Sequence, residues 1–411
     1  MIRWLAVIGP GLLVAATGVG AGDLATATIV GSQLGTAVLW AALVGAFFKY
    51  VVTEGLARYQ LATGDTLIEG VINRFGPIVG WLFLPYFLFW SFLVASALMN
   101  ASGVTLHALI PIFDDATTGK IAFGVVASLA GLALALGGGY ALFEKVMSVC
   151  IGIMFVTVLV TAALVWPGTG EVLSGLVVPR IPELADIGLS RTVALIGGIG
   201  GTFTVLCYGY WIREEGRNST NDIGLCRIDL GTGYLMTALF GVAMIIIGST
   251  IEIEGSGASL LVTLSERLTD PLGRIGSLLF LIGAAGAVFS SLLGVWQAVP
   301  YLFADVWQLL GHKAEDGERP VIDTRALPYR GFLVALAILP MPGLFLGFQS
   351  VQIAYALVGA SFIPLLTLAL LLMNGRGDRV GEPYRNRPLT IAVLLSILAF
   401  FIWVMARTLL G

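Results

Sequence analysis

Charge is what this sequence lacks most. Asp, Glu, Lys and Arg together make up only 11% of the 411 residues, whereas soluble domains contain about 25%. Hydrophobic residues make up 57% of the chain, a composition typical of a polytopic membrane protein. The net charge of −3 is small, so no basic surface suited to nucleic acid is predicted.

Cysteine and histidine are also scarce, and their scarcity excludes several kinds of site. Cys150, Cys207 and Cys226 form no C-x-x-C pair, so neither a disulfide framework nor a thiolate metal cluster is predicted. The only histidines, His107 and His312, lie far apart in the sequence, which excludes a His-rich metal site. Because no Ser-His-Asp set or phosphate-binding loop is present either, we do not expect an enzyme.

Long apolar runs are what the sequence has in abundance. Eleven of them reach the length of about 17–25 residues that crosses a bilayer as a helix. We number these predicted helices 1 to 11. They cover Trp4–Gly31, Ala37–Leu56, Ile78–Val104, Ile121–Leu136, Leu142–Trp166, Thr192–Ile212, Leu230–Thr250, Ile275–Phe303, Gly331–Leu346, Val351–Met373 and Leu389–Leu410.

The Lys and Arg residues predict an orientation. If the N-terminus is cytoplasmic, most of the 22 Lys and Arg residues fall on the inner side, Lys49 among them. The positive-inside rule favours that arrangement. We therefore predict a multi-pass protein of the inner cell membrane, with a cytoplasmic N-terminus and an extracytoplasmic C-terminus.

Three glycines at alternate positions, Gly18, Gly20 and Gly22, interrupt predicted helix 1, and Asp23 follows them directly. Each glycine destabilises a helix interior by about 1 kcal/mol relative to alanine, so the spacing favours an opened helix. Opened backbone inside a membrane lines a polar cavity, as in the broken helices of many secondary transporters. Two roles for Asp23 stay open, namely a substrate ligand and an N-cap of the second half-helix.

Predicted helix 6 contains a second glycine cluster, from Gly197 to Gly201. Gly200 and Gly201 either break this helix or allow another helix to pack closely against it. Interrupted helices 1 and 6 are typical of two inverted five-helix repeats with a site between them. We predict one transmembrane domain with repeats at about 4–166 and 192–373 and an extra helix at about 389–410.

Polar side chains near these interruptions complete the candidate site. In predicted helix 6, Thr204, Cys207 and Tyr208 supply a hydroxyl, a thiol and a phenol, and Gln352 lies at the start of predicted helix 10. The thiol of Cys207 could bind a soft cation, although a lone buried cysteine is usually a small apolar filler.

Motifs along nearly the whole chain resemble the Nramp (natural resistance-associated macrophage protein) family, membrane transporters of divalent transition metals. The resemblance implies an all-α polytopic membrane protein of about eleven transmembrane helices. It also implies the leucine-transporter-type arrangement, in which two five-helix repeats are inverted and helices 1 and 6 are broken. The matching motifs are Gly9-Pro10-Gly11, Gly31-Ser32-Gln33, Leu39-Trp40, Glu54-Gly55-Leu56-Ala57-Arg58, Thr63-Gly64-Asp65, Glu171-Val172-Leu173, Gly175-Leu176, Val178-Pro179, Gly286, Ser290-Ser291 and Met373-Asn374-Gly375.

The metal-site motifs of that family are changed here. The family's Asp-Pro-Gly-Asn in helix 1 aligns with Gly20-Ala21-Gly22-Asp23, so Gly20 stands at the position of the metal-binding aspartate. The family's Met-Pro-His in helix 6 aligns with Val205-Leu206-Cys207, and its helix 3 acids have no counterpart. A thioether favours soft metals, so its loss predicts relaxed metal selectivity. The loss of the histidine and the acids predicts weak or absent proton coupling.

The leading hypothesis is a secondary transporter or facilitator of divalent metal cations such as manganese, magnesium or iron, working by alternating access. The metal is its transported substrate, and no cofactor is predicted. Its expected partners are that cation and the lipid bilayer, without nucleic acid or a soluble protein. Two alternatives stay open: a carrier of the same fold for a non-metal solute or monovalent cation, and a membrane receptor or regulator that binds without transport.

Overall fold

The computed structural model describes residues 9–137, 140–182, 187–251, 257, 259–311 and 322–410. Within these ranges all regular secondary structure is helical. Short helices at Leu67–Phe75, Thr169–Val177 and Gly377–Val380 connect the longer ones. Helices 1 to 11 comprise Gly9–Gly18 with Val19–Thr26 and Ala27–Leu34, Leu39–Thr63, Pro77–Leu109, Ala116–Gly137, Tyr140–Leu164, Gly188–Gly198 with Phe203–Cys207 and Tyr208–Glu214, Ile223–Gly248, Leu260–Gly311, Leu327–Ile338, Phe348–Met373 and Pro388–Leu410.

The predicted all-α, multi-pass architecture is confirmed. Among the described residues, nine helices are long and apolar enough to cross a membrane, or ten if the bent pair Gly152–Leu164 and Thr169–Val177 forms one span. One of the nine, Gly22–Thr63, combines the end of helix 1 with helix 2. Gly35 divides that run with a φ of 65°, which glycine adopts far more readily than other residues. The structure therefore agrees closely with the eleven predicted helices.

Several predicted helix boundaries are wrong. Helix 2 was expected to end at Leu56 but ends at Thr63, and helix 7 was expected to begin at Leu230 but begins at Ile223. Helix 8 was expected to end at Phe303 but continues to Gly311, and a separate helix that begins at Leu260 meets it at a kink at Gly273, where φ is 66°. The added residues carry polar groups that lower hydropathy without ending a helix. Helix 9 was expected to reach Leu346 but ends at Ile338, and Met341–Phe345 forms a separate 3₁₀ turn after Pro340.

The outer faces of the helices are apolar. Trp81, Leu82 and Phe89 of helix 3 are each more than half exposed. Large exposed apolar surface in water marks an interaction site, and here it suits contact with lipid. Helix 6 differs most from this pattern. All of its most apolar 18-residue stretch is buried inside the protein, whereas only 17% of the corresponding stretch of helix 11 is buried. Helix 6 is therefore the innermost span, and helix 11 lies at the periphery.

Helix 1 packs closely against helices 6 and 8 at its glycines. A Cβ atom at Gly22 would lie 2.2 Å from the carbonyl oxygen of Gly198 in helix 6. A Cβ atom at Gly20 would lie 2.6 Å from the Cβ of Ser291 in helix 8. These glycines thus permit a helix contact that alanine would block, which brings the interrupted segments of helices 1 and 6 together.

Candidate functional site

Helix 6 is broken in its middle. Its first half, helix 6a (Gly188–Gly198), ends where Ile199 adopts a ψ of 130°. Gly200 and Gly201 follow with φ values of 71° and 81°, which residues with a side chain rarely adopt. A 3₁₀ turn, Phe203–Cys207, then leads into helix 6b (Tyr208–Glu214). Of the two interpretations of this glycine cluster, the break describes Gly200 and Gly201.

Helix 1 does not open at its glycines, contrary to the prediction. Val19–Thr26 instead form a π-helical segment between two α-helical halves. A π-helix accommodates extra backbone in wider turns, so the peptide groups remain hydrogen-bonded inside the membrane. The Ser291 hydroxyl of helix 8 donates to the Thr17 carbonyl oxygen just before this segment, at 2.5 Å. Such π segments frequently occur at functional sites.

Asp23 lies in the π-helical segment of helix 1 and contacts the break in helix 6. Its side chain is fully buried. Oδ1 accepts a hydrogen bond from the backbone N–H of Gly200 at 2.9 Å. Oδ2 has no hydrogen-bond partner among the described residues. Of the two roles left open for Asp23, the N-cap of a second half-helix is contradicted, because helix 1 continues through Asp23. The carboxylate accepts from an N–H group at the break of helix 6 instead.

Lys49 of helix 2 is the charged residue that sequence reasoning misplaced. It was expected on the inner side of the membrane, yet it is only 1% exposed within the protein. Its ammonium donates to the carbonyl oxygens of Gly197 and Ile199, each at 2.9 Å, and also to that of Gly201. The available signal was a single lysine within an apolar helix, since a charge at membrane depth normally requires a partner.

Asp23 and Lys49 together hold the polar backbone of the helix 6 break. The carboxylate accepts a hydrogen bond from an N–H group of this segment, and the ammonium donates hydrogen bonds to its carbonyl oxygens. The last carbonyl groups of a helix have no intrahelical donor and carry the negative end of the helix dipole. A cation is therefore favoured at the end of helix 6a.

The other predicted site residues have varied surroundings. Thr204 is buried beside Gly201, and its Oγ1 has no partner among the described residues. Gln352 is buried as well, with its Nε2 donating to the Ala97 carbonyl oxygen at 2.7 Å and its Oε1 without a described partner. Each of these side chains therefore has an oxygen that could coordinate a cation or accept a hydrogen bond from a substrate.

Cys207 and Tyr208 are engaged with neighbouring helices. The Cys207 sulfur lies 3.6 Å from the Ala298 carbonyl oxygen, and the Tyr208 hydroxyl donates to Asp229 Oδ2 at 2.8 Å. Asp229 precedes the predicted start of helix 7 at Leu230, but it lies within helix 7 and is fully buried. It also accepts from the backbone N–H of Gly11 at 2.8 Å. Asp229 thus connects helix 6b with the start of helix 1.

Two further charged groups secure helix 6b. Arg217, in the connection that follows it, forms an ion pair with Asp229 at 2.9 Å. Tyr210 of helix 6b donates to Asp305 Oδ2 of helix 8 at 2.6 Å. Sequence reasoning missed Asp305, because helix 8 was expected to end at Phe303. Helix 6b is therefore tied to helix 7 and helix 8 by two buried carboxylates.

The arrangement suits oxygen-based binding of a small cation. Among the described residues, no group of three or more His, Cys, Asp and Glu side chains could hold a metal. A carboxylate oxygen of Asp23 and the hydroxyl oxygen of Thr204 have no partner among the described residues, whereas the carbonyl oxygens of Gly197, Ile199 and Gly201 accept from Lys49. Oxygen ligands suit hard cations, which often keep part of their water shell.

Comparison with known proteins identifies similar sequences. Residues 11–411 match the family model described as natural resistance-associated macrophage protein-like. A divalent metal cation transporter, MntH 1 of Pseudomonas aeruginosa, is 28% identical over 68% of this chain and 65% of its own length. An uncharacterized protein of Pasteurella multocida is 24% identical over 60% of this chain and 56% of its own length. The matches thus span less than two thirds of either relative.

Solved structures show the same fold. A manganese transporter of Eremococcus coleocola, crystallised with an aromatic bis-isothiourea substituted compound, has a TM-score of 0.71. The match covers 98% of this chain and 86% of that one, at 15% identity. MhsT in complex with L-phenylalanine has a TM-score of 0.64 over 97% of each chain, at 17% identity. These similarities confirm the predicted leucine-transporter-type fold.

Proposed function

The chain belongs to the Nramp family, and we propose that it is a secondary transporter or facilitator of divalent metal cations that works by alternating access in the inner membrane. The observation that carries this proposal is the buried Asp23 carboxylate, which has one oxygen on Gly200 and the other without a described partner. A buried polar atom without a partner is costly. A bound cation would supply that partner.

The proposed ligands are all oxygens. Asp23 Oδ2 provides the charge, and Thr204 and Gln352 provide neutral oxygens that have no described partner. Cys207 and Tyr208 are engaged with Ala298 and Asp229, and Gly20 lies against Ser291 of helix 8, so we propose none of the three as a ligand. Without a thioether or imidazole ligand, the site favours manganese or magnesium over softer metals. The name of the Pseudomonas relative supports the divalent class.

Alternating access follows from the attachments of helix 6b. We place the site between repeats at about 4–166 and 192–373, with a cytoplasmic N-terminus and the helix at about 389–410 outside both repeats. Release of helix 6b from Asp229 and Asp305 would then open the site toward the cytoplasm. Helix 3 contains no Asp or Glu, so transport is weakly coupled to protons or not coupled at all.

A carrier of the same fold for a non-metal solute is the second candidate. The observation that favours it is Lys49, whose ammonium already places a positive charge at the helix 6 break. A site that holds both Asp23 and Lys49 is close to neutral, which weakens its attraction for a divalent cation. Such a site would suit a ligand that carries charges of both signs.

Uptake of Mn²⁺ and Mg²⁺ into proteoliposomes, with internal pH followed in the same vesicles, tests the proposal. We expect uptake of at least one metal without matching acidification. Asp23→Asn should reduce uptake at least about tenfold, as loss of a metal-site group commonly does. Asp115→Asn is the matched control, since Asp115 lies in an exposed turn and accepts from Thr118. Absence of uptake for both metals would contradict the proposal and leave the solute carrier.

A further inference from the structure

The Lys49 side chain occupies a cation site made entirely of backbone oxygens. Its ammonium is held by the carbonyl groups of Gly197, Ile199 and Gly201. All three belong to the end of helix 6a and the extended segment that follows it. We propose that Lys49 is a built-in cation that fills a monovalent-cation site at the break of helix 6, so that the protein needs no free Na⁺ or K⁺ there.

The three carbonyl oxygens match the donors of a charged amine. An ammonium group has three N–H donors, and each of the three carbonyl oxygens accepts one of them. A neutral amine has only two N–H donors and would leave one buried carbonyl without a partner. The Asp23 carboxylate is bonded to the same segment through the Gly200 N–H.

The position of the site explains why it needs a cation. The carbonyl groups at the end of helix 6a have no donor within the helix, and the helix dipole makes this end negative. In secondary transporters, unwound carbonyl groups and half-helix C-terminal ends of this kind coordinate Na⁺. A side-chain ammonium that is 1% exposed fills the same place without a free ion.

The neighbours of Lys49 keep the site closed. Thr53, one turn further along helix 2, is hydrogen-bonded to the Tyr234 hydroxyl of helix 7 at 2.7 Å. The Tyr234 ring lies against Gly200, where an added Cβ would be 2.8 Å from it. Helices 2 and 7 thus enclose the break together with helix 1. The inference goes beyond the proposed function, because it concerns what holds the break and not which substrate crosses.

Thermal unfolding of the purified full-length protein in detergent tests the inference, with NaCl, KCl or choline chloride at equal concentration. The melting temperature of the wild type should be the same in all three salts. Lys49→Ala removes the ammonium and leaves room for an ion. This variant should melt at a lower temperature in choline chloride and recover by several degrees in NaCl or KCl, in a manner that saturates with the ion concentration.

Lys120→Ala is the matched control. Lys120 of helix 4 is also buried and donates to a single backbone carbonyl, that of Leu346, at 2.8 Å. It should lose stability equally in all three salts. The inference is overturned if neither Na⁺ nor K⁺ restores Lys49→Ala, or if both ions restore Lys120→Ala as well.

If Lys49→Ala does not fold, the melting temperatures of the wild type in the three salts still test the inference. A melting temperature that is the same in the three salts would support a filled site. A wild-type protein stabilised by Na⁺ or K⁺ over choline would overturn the inference, because the site would then accept a free ion. Neither measurement involves metal transport, so a failure of the proposed function would not alter its outcome.

Discussion

The two oxygens of Asp23 have different surroundings, and the account depends on that difference. Oδ1 is bonded to the Gly200 N–H, whereas Oδ2 is buried without a described partner. A carboxylate that served structure alone would be expected to use both oxygens, since buried polar atoms in proteins are nearly always paired. The unpaired Oδ2 therefore favours a role for Asp23 in binding over a purely structural role.

Asp229 offers a test of a carboxylate whose oxygens are both engaged. Asp229→Asn would weaken a buried ion pair with Arg217, in which the two side chains are 0% and 4% exposed. Removing one partner of a buried pair typically destabilises a protein by about 3–5 kcal/mol, so we expect a clearly lower melting temperature. The measurement is thermal unfolding in detergent.

The control for Asp229 is Glu382→Gln. Glu382 pairs with Arg385 at 3.2 Å, but both side chains are more than half exposed. Such a surface pair contributes only about 0–1 kcal/mol, so the melting temperature should hardly change. Equal losses in the two variants would show that burial does not set the strength of these pairs.

At the scale of the element, the break in helix 6 depends on backbone angles that glycine provides. Gly200 has a φ of 71°, and an added Cβ would lie 2.8 Å from the Tyr234 ring. Gly216 has a φ of 72° but no atom within 4 Å of an added Cβ. Gly216→Ala should therefore show backbone strain alone, about 1–2 kcal/mol. Gly200→Ala should lose more stability and also transport activity. Equal losses in thermal unfolding would contradict the packing contribution.

Helix 1 allows a similar comparison without unusual angles. Gly22→Ala would place its Cβ 2.2 Å from the Gly198 carbonyl oxygen and push helices 1 and 6 apart. Gly224→Ala in helix 7 has open space around it and should stabilise the helix by up to about 1 kcal/mol. We expect changes of opposite sign in melting temperature. A neutral Gly22→Ala would mean that the contact is not tight.

Sequence patterns could predict the glycine interruptions but not how each helix responds to them. The spacing of Gly18, Gly20 and Gly22 predicts weakness in helix 1, yet a π-helical segment preserves its hydrogen bonds. Helix 6 breaks because Gly200 and Gly201 can adopt positive φ values and because Asp23 and Lys49 replace the lost backbone bonds. Because these partners belong to helices 1 and 2, they cannot be predicted from the sequence of helix 6 alone.

Lys49 and Asp305 were missed for a shared reason. The predicted end of helix 2 was Leu56 and that of helix 8 was Phe303, which placed both charges near a membrane surface. The helices continue to Thr63 and Gly311, so both side chains lie within the protein. Hydropathy locates membrane-spanning helices well. Near the end of a helix, however, polar residues that are hydrogen-bonded to other helices lower the local hydropathy, so the helix is predicted to end too early.

At the scale of the whole molecule, the bonds of helix 6b should set the balance between closed and open states. Tyr210→Phe removes the 2.6 Å hydrogen bond to Asp305 and should favour release of helix 6b. Cys207, which is buried next to helix 6b, should then react several times faster with a membrane-permeant maleimide. Rates are measured by mass spectrometry in a variant whose other cysteines are replaced by alanine.

Tyr86→Phe is the control for that experiment. The Tyr86 hydroxyl also donates to a partner at 2.6 Å, the Val358 carbonyl oxygen, but it joins helix 3 to helix 10. The labelling rate of Cys207 should stay at the wild-type value in this variant. A Tyr210→Phe rate that matches this control would contradict the assignment of helix 6b as the moving element.

Binding of Mn²⁺ to the purified protein, followed by electron paramagnetic resonance of the free ion, tests the central claim most directly. The account predicts that the wild type binds Mn²⁺ at a single site and that Asp23→Asn weakens this binding at least about tenfold, while Asp115→Asn binds like the wild type. Equal affinity in the wild type and Asp23→Asn would contradict the claim that the free oxygen of Asp23 holds the transported cation.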